Sequence, residues 1–347
     1  MKIFIPLVGQ FTNIGDTLHR KILINWLRES GDLHLYVGNA SDSFLSGLDL
    51  SGREKIVRNP MAWYWAALTS GPSSVLFFCP GEVSASYRRV LKELVFLPLI
   101  LSFFLKRGVF RVGIAFREYS SFAMRLLNAV YRRSRLLVWR DCNSYRKAKS
   151  GHLYPDLGFW AQQVCDNSSE TISISYRGDR PLPPTEVFRA IAEFSQANAV
   201  PIIVFSQVRR DNGAAQECAE LLQKVGAEPS LLLWEDDIDH RTQEERMNQV
   251  YSRSMLTVSD RLHALIMASC RGAIPLCLTA AVNPKVEEHF CAIGLKDIAH
   301  GVSGKSAVEI HSVIEAQCSR GAEIKTEVVK ARIKLSELRQ LVKNTIR

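Results

Sequence analysis

Short apolar, β-branched runs alternate with longer amphipathic stretches along the whole chain. This alternation predicts parallel sheets joined by crossover helices, an α/β fold. Residues 2–8 read as a first buried strand and 9–15 as a loop. Residues 16–28 read as a helix, with Leu18, Ile22, Ile24 and Leu27 near helical spacing. Further strands of a first sheet are expected at 33–38, 75–78, 111–115 and 136–139, the run at 75–78 stopping at Pro80-Gly81. The polar, weakly patterned stretch 161–170 reads as a linker. The pattern then restarts with strands at 171–176, 201–205, 230–234, 255–258 and 274–278, and helices at 184–197, 214–225, 243–253 and 261–270. Pro184 suits the first turn of its helix. The tail reads as one long helix, because Ile324, Val328, Ala331, Leu335, Leu338 and Val342 step by three and four along one face.

The chain therefore divides into a Rossmann-like lobe at 1–160, a second at 171–303 and a helical tail at 304–347. Two open parallel sheets predict a binding cleft between the lobes, at the carboxyl ends of the strands. Candidate chemistry is therefore sought just after strands. A terminal helix of this kind can pack back across both lobes.

With 347 residues, 47% hydrophobic and 23% charged, the chain can bury a sizeable core and is not of disordered composition. The net charge of +9 is uneven: from Arg88 to Lys149, fifteen Lys or Arg stand against Glu93, Glu118 and Asp141. Inside that stretch, residues 94–105 carry no charge. They are too few to span a bilayer, which takes about 20 apolar residues. Two readings stand: a buried helix with solvated ends, or a helix that dips into an anionic membrane surface. Nucleic acid is not an expected partner, since the basic residues form no reader motif. The eight cysteines include no C-x-x-C pair and no zinc spacing. They read as reduced thiols of a cytoplasmic protein without a metal. The opening apolar run leads into a polar loop rather than a cleavage site, so it reads as a strand and not a secretory signal.

Five segments carry candidate chemistry. Thr12-Asn13-Ile14-Gly15-Asp16 follows the first strand. Gly15 permits a tight turn, and Asn13 or Asp16 can cap the helix or meet sugar hydroxyls. The segment is not G-x-G-x-x-G, which argues against a dinucleotide site. Ser259-Asp260-Arg261-Leu262-His263 sits between a strand and a helix, where unpaired N–H groups attract phosphate. Arg261 adds a bidentate fork and His263 a group that titrates near neutrality. Both can reach one ligand only if the turn before the helix is irregular. The competing reading is Arg261 in a salt bridge with Asp260 or Glu287 and His263 hydrogen-bonded in the core. Arg177 ends the strand at 171–176, as an anion ligand or as a surface residue, and Ser206 and Gln207 end the neighbouring strand. Arg140-Asp141 and Asp156 form either a salt-bridge set between lobes or acceptor contacts. Glu82 is a candidate base or a solvated loop residue.

Taken together, TNIGDTLHRKIL, VWRDCNSYR, YPDLGF, ISISYRG and SDRLHALIMASCRGAIPL followed by NPKVEEHFCAIGL resemble the polysaccharide pyruvyl transferase family, in family order from Thr12 to Leu295. The R-L-H element in its strand–helix setting is the most specific piece. One departure is Pro80-Gly81-Glu82-Val83-Ser84, where many relatives carry a glycine-rich segment. The resemblance implies two GT-B-like lobes, phosphoenolpyruvate as donor, and as acceptor a sugar of a cell-surface polysaccharide or its lipid-linked precursor. It implies that Arg177, Arg261 and His263 hold the donor's phosphate and carboxylate, helped by the Leu262 backbone N–H. Asn13, Gly15, Asp16 and Arg140 would face substrate from the first lobe. His263 would serve as acid or protonated phosphate clamp, with Asp16 or Glu82 as base. No metal or redox cofactor is expected, phosphoenolpyruvate being a co-substrate. The expected location is the cytoplasm, with the basic stretch as a route to the inner face of the plasma membrane. Two other functions fit the same pattern: a nucleotide-sugar glycosyltransferase of GT-B build, and a non-catalytic, membrane-associated carbohydrate-binding protein.

Overall fold

The computed structural model describes residues 1–8, 11–161 and 170–347. Most of the linker expected at 161–170, Cys165 within it, and Gly9 and Gln10 of the loop after the first strand lie outside the described residues. In chain order the elements are β1 (Lys2–Pro6), α1 (Ile14–Leu27), β2 (Asp32–Tyr36), α2 (Asp42–Ser46), β3 (Lys55–Val57), α3 (Pro60–Leu68), β4 (Val75–Phe78), β5 (Gly81–Ala85), α4 (Tyr87–Phe104), β6 (Val109–Tyr119), α5 (Ser121–Tyr131), β7 (Leu136–Trp139), α6 (Cys142–Ala148) and β8 (His152–Leu153). There follow β9 (Thr171–Ser175), α7 (Thr185–Asn198), β10 (Ile202–Phe205), α8 (Asn212–Lys224), β11 (Ser230–Leu232), α9 (His240–Arg253), β12 (Ser254–Ser259), α10 (Leu262–Cys270), β13 (Ile274–Thr279), α11 (Pro284–Cys291), β14 (Ala299–Gly301), α12 (Ala307–Ser319) and α13 (Gly321–Ile346). Contacts divide the chain into a first unit of Met1–Phe11, Asp16–Leu157 and Ile333–Arg347, and a second of Thr12–Gly15 and Gly158–Arg332.

The first unit holds a sheet in the order β3-β2-β1-β4-β6-β7-β8, with β5 also paired to β6. Every pairing is parallel, as the βαβ pattern predicts. Strand β6 is long enough to hold β4 along its first half and β5 along its second. Pro80-Gly81 therefore interrupts a strand line that the sequence reading ended there. Gly81, at φ 146°, makes the break. Part of the basic stretch is structural. Arg111 is buried, bonds Glu93 (3.1 Å) and Ser134 (2.9 Å), and lies over the Phe78 and Tyr131 rings.

Helix α4 holds most of the uncharged run and divides it between two faces. Leu99, Ile100 and Phe103 are buried, but Leu94, Val95, Leu101 and Leu105 are exposed. Among the described residues no helix is long and apolar enough to cross a membrane.

In the second unit the sheet runs β11-β10-β9-β12-β13-β14, again all parallel. Numbered within the unit this is 3-2-1-4-5-6, the doubly wound Rossmann order. The order reverses between β9 and β12, and open α/β sheets bind ligands at the carboxyl ends of the strands flanking that point. Ile172, Ile174, Val204, Leu256 and Val258 are fully buried between the helix layers. The two polar positions they flank satisfy each other, Ser173 Oγ lying 2.8 Å from Thr257 Oγ1. The apolar face read for the tail is the buried face of α13, all six residues included. Residues 304–332 cluster with the second unit and 333–347 with the first. Seven cysteines lie among the described residues, none in a disulfide. Burial pushes the Cys79 and Cys318 thiols up to about 11 and Cys277 to about 12.

Candidate functional site

The richest chemistry lies where β9 and β12 end. After β9, the Arg177 backbone N–H donates to Asp260 Oδ1 (2.9 Å). Its guanidinium forks onto Asp179, Nε to Oδ1 at 2.7 Å and Nη2 to Oδ2 at 2.6 Å. Arg210 reaches the same carboxylate at 3.2 Å. After β12, Arg261 Nε donates to Asp211, and Nη2 lies beside the same oxygen without completing a hydrogen bond. Asp211 is fully buried, and its other oxygen accepts from Gly178 N–H at 2.9 Å. Asp211 thus ties the Arg177-Gly178 turn to Arg261.

The salt-bridge partner of Arg261 is therefore neither Asp260 nor Glu287, the two acids nearest by sequence logic. Asp260 is spent on the Arg177 N–H, and Glu287 accepts from the N–H groups of Asp297, Ile298 and Ala299. The Arg177 fork, with Arg210 and Arg261 adding, holds the Asp179 carboxyl well below the usual carboxylate range. Burial raises Asp260 despite that N–H bond and the nearby arginines.

Asp179 sits in the fork an external anion would use. Asp179→Asn removes the competing charge while keeping the side chain's shape. It is expected to tighten orthophosphate binding about tenfold, the loss of one charge-assisted bond to displace. Calorimetric titration reads this directly, and unchanged affinity removes Asp179 as an internal competitor.

Arg261 is the extended residue before α10 (φ −90°, ψ 113°) and gives the helix no side-chain cap. It therefore lies outside the helix, while His263 lies in the first turn. All nine residues of α10 are buried. The His263 ring packs on Gly15 so tightly that a Cβ there would stand 2.2 Å from Nδ1 and 2.6 Å from the histidine's own Cβ. Gly15 is accordingly not a turn glycine. It lies in the first turn of α1, and its missing side chain is the space His263 fills. Asn13 caps that helix, accepting from Gly15 N–H at 3.0 Å, and its backbone bridges Val208.

At the end of β10 the two expected contacts differ. The Ser206 hydroxyl donates to Asn212 Oδ1 (2.5 Å) and accepts from Trp234 N–H (2.8 Å), so it is committed to the fold. Gln207 is 1% exposed, and its Nε2 has no hydrogen-bond partner among the described residues. The buried Ser175 hydroxyl at the end of β9 is likewise without one. Buried donors are ordinarily paired in native folds. Ser175 lay inside the ISISYRG segment and was passed over for its neighbour Arg177.

The first unit holds the remaining candidates. Arg140 is buried, its Nη1 2.9 Å from Asp156 Oδ2 and 3.3 Å from His19 Nδ1, while His19 Nε2 is 2.6 Å from Asp156 Oδ1. Arg140 and Asp156 thus form a salt bridge, and the set adds His19, which sequence reasoning missed. Asp141 caps α6 through Ser144 N–H (2.7 Å). Glu82 is not in a loop after β4 but in β5, with Arg117 at 3.8 Å. Asp16 stands half-buried in the first turn of α1, and its carbonyl accepts from Arg20 (2.8 Å). A hollow of about 540 Å³ opens after β1 and β2, lined by Val8, Phe11, Tyr36, Asn39 and Arg58 among others, a size suited to a small ligand.

Solved structures share this architecture. Anabaena Alr3699/HepE in complex with UDP-glucose is 11% identical, with 100% of this chain and 99% of that one covered at a TM-score of 0.57. S. aureus MnaA with UDP is 14% identical over 94% and 91% at 0.56. A UDP-glucose:anthocyanidin 3-O-glucosyltransferase with UDP is 10% identical over 99% and 98% at 0.55. Identities this low speak to fold alone, and they place the chain in the GT-B-like α/β class. No curated protein matches it. The family model for polysaccharide pyruvyl transferase matches residues 13–270, so the chain belongs to that family.

Proposed function

We propose that the protein moves a pyruvyl group from phosphoenolpyruvate onto two hydroxyls of one sugar, in a cell-surface polysaccharide or its lipid-linked precursor. Family membership supports a transferase. The observation that supports the donor is that Arg177 and Arg261 follow the two strands flanking the switch point and are linked through Asp211. A small phosphorylated carboxylate offers two anionic ends, and forked guanidinium groups match both.

The chemistry balances without a redox partner. His263 delivers a proton to the methylene carbon of phosphoenolpyruvate, and a sugar hydroxyl oxygen bonds to C2, its own proton passing to Asp16 or Glu82. The C2–O–P bond then breaks with its electron pair leaving on phosphate, held by the arginines. The second hydroxyl closes the ketal at C2 and yields its proton to His263, which is thereby restored, while the base passes its proton to the departing phosphate or to solvent.

General acid–base work contributes about 10²–10⁴ in rate, so His263→Ala is expected to lose at least about a hundredfold in turnover, beyond the fall in melting temperature that the cavity left by a buried ring brings. Orthophosphate release from phosphoenolpyruvate with a panel of lipid-linked acceptors measures it. Near-normal turnover removes His263 from the mechanism. A nucleotide-sugar transferase is the second reading, favoured by the uridine nucleotides in the structural neighbours. Melting separates the two: phosphoenolpyruvate protection supports pyruvyl transfer, and protection by uridine diphosphate alone supports the other.

A further inference from the structure

Helix α4 turns an apolar stripe outward. Tyr87, Leu91, Leu94, Pro98, Leu101 and Leu105 step by four and three, and all six are exposed, Leu105 to 90%. The opposite side of the helix supplies Leu99, Ile100 and Phe103 to the core, so the stripe is not a buried face left open by chance. Helices α3 and α5 both pack against α4 and carry exposed aromatics of their own. Trp65 on α3 is 66% exposed, and Phe122 on α5 lies 6.1 Å from the Tyr87 ring.

The charges on this face have one sign. The acid that α3, α4 and α5 carry between them is Glu93, which is buried and bonded to Arg89, Arg111 and Tyr131. Exposed Arg88, Lys92 and Arg125 stand among the apolar residues, with Arg132 and Arg133 just beyond α5. Extended apolar patches of this kind mark interaction sites. A second copy of the chain is a poor occupant, because pairing the face with itself brings cations together with no exposed acid to meet them. An anionic bilayer answers both features, since its headgroups attract Lys and Arg while the acyl boundary takes the apolar stripe and the exposed aromatics.

We propose that the α3–α4–α5 face docks the protein on an anionic lipid surface, lying in the interface and not crossing it. The proposal is independent of which group the enzyme transfers, and it would bring a lipid-linked acceptor within reach. The test is flotation of the full chain with phosphatidylcholine vesicles that contain or lack phosphatidylglycerol. Flotation is expected only with the anionic vesicles and is expected to fall as salt shortens the screening length. Leu94→Glu/Leu101→Glu is expected to weaken partition about a hundredfold or more, and Arg88→Glu/Lys92→Glu at least about tenfold. All four positions are exposed, so melting should stay at wild type. In a chain keeping Trp65 as its reporter, with Trp65→Phe as the control, emission should shift blue on vesicle addition. The proposal is overturned if wild type does not float, if either double variant floats as wild type does, or if wild type is a dimer that Leu94→Glu/Leu101→Glu splits.

Discussion

Gly15→Ala is expected to cost at least about a hundredfold in turnover and to lower the melting temperature, although it adds a single methyl group. The new Cβ would stand 2.2 Å from His263 Nδ1, 2.5 Å from Cγ and 2.6 Å from Cβ. Rotating the imidazole does not relieve this, because the histidine Cβ is itself in collision and does not move with χ1. The start of α1 or the start of α10 must shift instead. Overpacking of that kind costs about 1–3 kcal/mol, and displacing a reacting group by an ångström costs about 10²-fold. Phosphate-release kinetics and a melting curve measure the two effects separately. The melting shift stands whatever the substrate, while the kinetic loss also requires His263 in the mechanism. A variant that melts and turns over like wild type contradicts the packing itself.

Asp211→Asn is expected to have the larger effect on stability. The carboxylate is fully buried and is the counter-charge of the nearly buried Arg261. Removing one member of a buried ion pair leaves the other uncompensated, at about 3–5 kcal/mol. For a chain of this size that is a fall in melting temperature on the order of 10 °C. The loss should also be recoverable from outside. An anion bound to Arg261 supplies the missing charge, so orthophosphate or phosphoenolpyruvate should raise the variant's melting temperature more than wild type's. A variant that melts at the wild-type temperature would show that Asp211 does not hold the arginine.

Much of the architecture was readable because short β-branched runs alternate with longer amphipathic ones. The runs that became β9, β10, β12 and β13 could hardly be anything but buried parallel strands, and their ends located Arg177, Arg261 and Gln207. The short edges β3 and β8 carry too few residues for a pattern. Strand β5 was hidden by Pro80-Gly81, whose local meaning is termination. It forms because the long β6 offers a second partner site, a tertiary fact. The site was legible in its cations and not in its anions. Asp211 lies in a polar loop with no periodicity, and Asp179 looks like a turn residue. Their importance comes from which strand ends the topology sets side by side. For Arg140 the salt-bridge reading with Asp156 holds, and His19 joins it. Gly15 was noticed for backbone freedom, whereas its role depends on a residue 248 positions later, as the numbering of Gly15 and His263 gives.

The contact map also bears on how the protein is made. Residues 333–347 belong with the unit built from the N-terminal half, and Leu335, Leu338 and Val342 among them are wholly buried. The ribosome therefore finishes Gly158–Arg332 before it makes Ile333–Arg347, a stretch that the earlier-translated unit packs as its own. Nascent chains commonly fold from the N-terminal side; here completion runs the other way. Changes within residues 333–347 would be felt in the unit that is made first.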